Sequence, residues 1–352
     1  MMASVLMLVG SGQVMAVQYT ITDLGTLGGD GSAAKGINSS GQVVGFSNIT
    51  GDSESHAFLY DGTTMNDLGT LGGNTSAAYS INDSGQVTGY GHTVADAWHA
   101  FLYDGTTMKD LGTLGGSGSV AYSINNSGQV AGYSFTTGDS AYHAFLHDGT
   151  AMNDLGTLGG DWPYSSAKGI NDSGQVAGST YFGGYRAFLY DGTTMNNLGT
   201  LGGGDSYATG INNSGQVIGE SSRTMGAHYT SNHAFLYDGT TMNDLGTLGG
   251  VGSAAFGIND GGQVVGRSFI TGDSAYHAFL YDGGNMIDLN ALLPTGSGWV
   301  LREAEGINDL GQIVGTGFIN GHERAFLMTP VPEPATLLLL GLGGLMMRKR
   351  KA

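Results

Sequence analysis

The 352-residue chain has no cysteine, which excludes disulfides, thiolate zinc sites and cysteine nucleophiles. Charge is scarce at 12% of residues, and what there is leans acidic, 12 Lys and Arg against 29 Asp and Glu, for a net −17. Such a balance disfavours nucleic acid and anionic lipid as partners of the folded body. No G-x-S-x-G elbow, H-E-x-x-H pair or phosphate loop occurs, and the calcium series D-x-D-x-D-G is missing. No enzyme and no cofactor is predicted from these motifs. Glycine is abundant, at 65 residues, yet not at every third position, so collagen is excluded. An apolar share of 40% is too high for a disordered chain. The combination reads as many short strands joined by tight turns.

The chain repeats one two-phrase unit. The phrase HAFLYDGTTMNDLGTLGG at 56–73 returns letter for letter at 233–250, with near-copies from His99, His143 and Arg186, a decayed copy from His277 and a stub from Arg324. A second phrase, I-N-x-S-G-Q-V, precedes each and begins at Ile37, Ile81, Ile124, Ile170, Ile211, Ile258 and Ile307. Fixed-period self-similarity of this kind is the signature of repeat architectures. In the second copy four strand-like runs follow one another: a, Ala77 to Asn82; b, Gln86 to Gly91; c, His99 to Tyr103; d, Thr107 to Leu111. Asn82 to Gly85 predicts a type I turn ending in a left-handed glycine between a and b, and Asp104-Gly105 predicts a two-residue hairpin between c and d. Run c carries apolar residues on both faces, so each small sheet is expected to be covered on both sides by stacking on the next.

The number of runs predicts closure. The last c run, from Arg324, has no d run after it, whereas an unpaired d run from Tyr19 to Gly29 stands at the front. An open solenoid has no use for that strand; a closed ring does, because it completes the last sheet. With a period of roughly 45 residues, about one four-stranded blade, the expectation is an all-β, seven-bladed β-propeller over residues 17–329. A β-solenoid is the alternative. Residues 1–16 are apolar and uncharged, with Val14-Met15-Ala16 as a cleavage site, and predict a signal peptide. Gly12-Gln13-Val14 echoes the repeat's own G-Q-V, which leaves open a start inside a longer precursor.

Residues 330–352 form a tail of different character: Pro332, Glu333 and Pro334, an apolar run from Ala335 to Met347, then Arg348, Lys349, Arg350 and Lys351. The apolar run is short of the roughly 20 residues of a stable membrane helix, and the basic end would stay cytoplasmic. This tail resembles the PEP-CTERM sorting signal of Gram-negative bacteria. The resemblance implies export, a membrane-anchored precursor, an exosortase-type membrane protease as partner, and delivery to the cell surface or exopolysaccharide matrix. The repeats resemble the HAF-repeat family of extracellular bacterial proteins, which implies no particular chemistry. Together the resemblances imply a surface- or matrix-associated module binding exopolysaccharide or a surface partner, with an extracellular propeller hydrolase or lyase as the alternative.

Candidate sites are sparse. His56, His99, His143, His233 and His277 fall one per unit, a full blade apart, too far to share a metal; two copies replace the histidine by Arg186 and Arg324, so a structural role is expected. Asp52, Asp139 and Asp273 recur in T-G-D-S and read as turn residues. Glu303 and Glu305 read as surface positions beside the ring closure rather than paired catalytic carboxylates. The b–c and d–a connections share one face, and it collects unusual aromatics, most densely Trp162, Tyr164, Tyr181, Phe182 and Tyr185. They are candidates for stacking sugar rings, or they pack the loops against one another.

Overall fold

A computed structural model describes residues 18–331, apart from 53, 161 and 226–228. The signal-peptide expectation and the tail residues Pro332, Glu333, Pro334, Arg348, Lys349 and Arg350 lie outside the described residues. The described chain forms seven four-stranded antiparallel sheets, a seven-bladed propeller. Blade two shows the pattern: a, Gly72–Ile81; b, Val87–Thr93; c, Trp98–Tyr103; d, Met108–Asp110. Among the described residues no helix is long and apolar enough to cross a membrane.

The last blade confirms the closure. Its sheet runs in the order Trp299–Ile307, Ile313–Ile319, His322–Pro330 and then Tyr19–Asp23. The N-terminal strand pairs antiparallel with the C-terminal one, Tyr19 opposite Pro330 and Asp23 opposite Phe326. Tyr19 and Leu24 are buried by this docking. The ring therefore has no free inner seam.

The blades stack as the two-sided apolar pattern requires. Successive residues of a strand point to opposite faces, so Ala57 joins a cluster with Ala78, Ile81 and Phe101 of blade two, while Phe58 joins Val314 and Ala325 of blade seven. The phenylalanine of every copy is fully buried. In each b strand a glycine lies against the bulged a strand beside it; a Cβ on Gly89 would sit 1.9 Å from the Ala77 carbonyl oxygen. The a–b turn is as predicted, with Asn82 and Gln86 closing it and Gly85 at φ +82°. The c–d turn is not. Tyr103 pairs with Met108, so the loop is the four residues Asp104 to Thr107. The Asp104 carboxylate accepts from the Thr106 and Thr107 N–H groups at 3.0 Å, and that satisfied loop replaces the two-residue hairpin.

Candidate functional site

The seven a strands form the innermost wall of the ring. Each ends in the same phrase, and one position in it differs in almost every blade: Lys35, Tyr79, Tyr122, Lys168, Thr209, Phe256, Glu305. These seven residues line a cavity of 260 Å³ on the axis. Sequence reasoning passed over six of them and read the seventh, Glu305, as a surface position, though the signal was present as the one variable letter before an invariant Ile-Asn, with Gly or Ser between.

The layer is not symmetric. Lys35 of blade one forms an ion pair with Glu305 of blade seven, and Glu303 pairs with Arg267 of blade six. The expectation that Glu303 and Glu305 are surface positions is therefore corrected. The last a strand turns its carboxylates inward, to cations of the neighbouring blades, and the Glu305 side chain is 15% exposed. Burial raises the Glu305 carboxyl above its ordinary range, with Lys35 opposing it. On the other side of the ring Lys168 has no carboxylate partner among the described residues. Its ammonium lies 3.2 Å from the centroid of the Tyr122 ring, and burial lowers its pKa to about 8.

The five loop aromatics are brought together on blade four. The Tyr181 N–H donates to the Tyr164 carbonyl at 2.9 Å, which ties the b–c loop to the d–a connection. The Tyr164 ring stacks on Tyr142 of blade three at 4.8 Å and on Trp162 at 6.2 Å. Tyr185 stands edge-on to Tyr181 at 5.5 Å and against Tyr207 of blade five at 5.0 Å. Tyr164, Tyr181 and Tyr185 are thus half-buried and held by neighbours, while Trp162 and Phe182 are 55% and 46% exposed. From Tyr142 the rings continue through Tyr133 and Tyr122 to Tyr79 at centroid spacings of 5.3, 6.0 and 5.1 Å, an aromatic row from the outer loops to the axial cavity.

The repeat histidines hold their own blades. His56 Nδ1 meets Asp67 at 2.8 Å across strands c and d, and His99, His143, His233 and His277 meet Asp110, Asp154, Asp244 and Asp288 in the same way. Where Arg186 replaces the histidine, Asn197 replaces the aspartate, and the guanidinium bonds the Gly204 carbonyl instead. Asp52, Asp139 and Asp273 adopt φ of 57°, 55° and 53°, and their carboxylates accept backbone N–H groups of the incoming a strand. They fasten loops. Among the described residues no group of three or more His, Cys, Asp or Glu is placed to hold a metal ion.

A closed seven-bladed propeller followed by a surface-sorting signal defines the class: residues 330–351 match the PEP-CTERM protein-sorting motif, which marks bacterial proteins for export and sorting to the cell surface through exosortase. Within that class the chain belongs to the family described as protein of unknown function DUF3466, which matches residues 151–329, just over half of it. No curated protein matches the chain. Among solved structures it resembles the β-propeller domain of the Trilobed protease from Pyrococcus furiosus, at 11% identity and TM-score 0.56, over 86% of this chain and 96% of that one. That likeness concerns the fold alone. A sialidase of Trypanosoma rangeli, in complex with the inhibitor DANA, aligns at 10% identity and TM-score 0.37, over 91% of this chain; the chain spans 57% of the sialidase.

Proposed function

We propose that the protein is a non-catalytic binding module of HAF-repeat type, held at the surface or in the extracellular matrix of a Gram-negative bacterium, where it retains exopolysaccharide or a surface partner on blade four. Exosortase processing at the tail releases it from a membrane-anchored precursor. The observation that carries the reading is the pairing of exposed Trp162 and Phe182 with a clamped base of Tyr164, Tyr181 and Tyr185. Rigid aromatics on a fixed scaffold give a flat ligand a large contact at little entropic cost. The −17 charge favours a neutral or cation-bridged glycan over a polyanion met directly.

A glycan-binding screen with the repeat body, residues 17–329, tests this. Retention of a polymer by the wild type and its loss in Trp162→Ala/Tyr181→Ala, with an unchanged melting curve, supports the site. Retention by the double variant moves the site elsewhere, and collapse of the fold shows that these rings serve packing. Release of shortened chains from a bound polymer overturns the non-catalytic reading.

A further inference from the structure

The axial cavity poses a separate problem. Two of its seven positions are lysines at the same register, and they are treated differently. Lys35 is neutralised by Glu305, whereas Lys168 faces the cavity with only the Tyr122 ring against it. An ammonium held in a partly dehydrated site without a carboxylate is costly. A cation–π contact recovers only part of that.

We propose that the axial cavity binds a small carboxylate-bearing ligand of the size of one uronic acid residue, its carboxylate on the Lys168 ammonium and its body against the wall formed by Tyr79 and Tyr122. At 260 Å³ the space lies just below the usual range of ligand pockets, which begins at about 300 Å³, and it suits a single ring rather than an oligosaccharide. The tyrosine wall supplies apolar area, and the Thr209 side of the ring leaves the layer asymmetric, so one orientation is preferred. The cavity adjoins a second one of 240 Å³ framed by the a–b turns, and a carboxylate entering by that side passes Asp83, Asp172, Asp260 and Asp309 before it reaches Lys168. This site does not rest on the blade-four reading.

The surrounding groups leave Lys168 as the one that titrates with the ligand. Burial pushes the hydroxyls of Tyr79, Tyr122 and Tyr133 upward and that of Tyr207 up to about 12, so all four stay neutral. Across the axis Lys35 and Glu305 satisfy each other. A bound carboxylate favours the ammonium and draws a proton onto it, whereas Lys168 in the unliganded fold, its pKa lowered to about 8 by burial, loses that proton above pH 8.

The test is calorimetric titration of the full chain with sodium glucuronate, with glucose as the uncharged control. The expected result is saturable binding of glucuronate and none of glucose at pH 7. Lys168→Met should weaken it about tenfold or more. Lys168→Arg should keep it. At pH 8, comparing two buffers of different ionisation enthalpy should show net proton uptake in the wild type and none in Lys168→Arg. Absence of glucuronate binding, equal binding by Lys168→Met, or the same proton uptake in Lys168→Arg each overturns the proposal. If Lys168→Met fails to fold, the proton uptake of wild type against Lys168→Arg still decides. Trp162 and Tyr181 stay wild type throughout, so failure here is distinct from failure of the blade-four reading.

Discussion

The side-chain Nδ2 of Asn308 donates to the backbone oxygen of Asn38 at 3.0 Å, across 270 positions of sequence. The bond is one of seven. Asn38 donates in turn to Asn82, and the relay runs through Asn125, Asn171, Asn212 and Asn259 back to Asn308, each at 3.0 to 3.2 Å. Every asparagine also accepts, through Oδ1, the N–H of the glutamine four residues on. The I-N-x-S-G-Q-V phrase is thus both a turn and a staple: Asn closes its own hairpin and reaches the next blade. A buried amide with its donors and acceptor used specifies one neighbour at one distance.

A ring without ends makes a specific demand on mutation. Asn171→Ala removes a buried donor, leaves the Gln175 N–H without its acceptor and takes from the Asn212 carbonyl one of its two bonds, the one from Gly215 remaining, at a cost of roughly 2 kcal/mol. Asn308→Ala, beside the seam, should cost the same, because its bond to Asn38 is equivalent to the others. Urea unfolding of the two variants checks this. A much smaller loss at Asn308 would show that the seam is open.

Closure also depends on the first strand. Deleting residues 17–25 removes the partner of His322–Pro330 and the buried Tyr19 and Leu24. Each of those side chains stabilises by about 1.5–3 kcal/mol on burial. The exposed strand edge is a template for association. The shortened protein should melt well below the full one and aggregate on heating, read by scanning calorimetry with light scattering. Unchanged melting contradicts the pairing.

Repetition made the fold legible. Seven copies of a run that is apolar on both faces predict stacked sheets, and one strand surplus at the front with one deficit at the back predicts how they close. What one copy cannot show is the neighbour a side chain meets. Asn82 announces a turn within its own copy, yet its second bond goes to Asn125 of the next blade. Glu305 reads as a surface residue because its partner, Lys35, is contributed by the opposite end of the chain. Lys168 is legible only when the seven copies are laid over one another: the axis is built from one residue of each blade, and within a single copy nothing marks it as the variable letter before Ile-Asn. Trp162 and Tyr181 stand out as candidates because their loops break the repeat.

The tail makes an independent prediction, since residues 330–351 carry the sorting motif and the propeller ends at Pro330. Replacing Pro332, Glu333 and Pro334 by alanine should leave the body folded and block processing. Fractionation should then find an unprocessed precursor in the membrane fraction, with Arg348 to Lys351 still attached. Mature-sized protein at the surface of cells expressing the triple variant rules out that role for the motif.

Lys168 makes a prediction about stability that holds whatever the cavity binds. Its folded pKa, about 8, lies below the ordinary lysine value of 10.5. Below pH 8 both the folded and unfolded chains hold the proton, and the folded state carries the full burden of the buried charge. Between pH 8 and 10.5 the folded chain releases a proton that the unfolded chain keeps, so this group's contribution to stability improves as pH rises through that window. At neutral pH the burden is about 3 kcal/mol at most. The shift has burial as its cause and the contact with Tyr122 offsets part of that burden, so Lys168→Met, which removes the charge and keeps a flexible apolar chain over the ring, should raise stability at pH 7 by about 1–2 kcal/mol. The gain should shrink to near zero at pH 10.5, where the lysine is neutral in the fold. Comparing wild type and variant at each pH cancels the titration of every other group. Urea midpoints at pH 7 and 10.5 measure it, and a variant less stable than wild type at pH 7 shows that the ammonium on Tyr122 is a stabilising contact rather than a charge waiting for a partner.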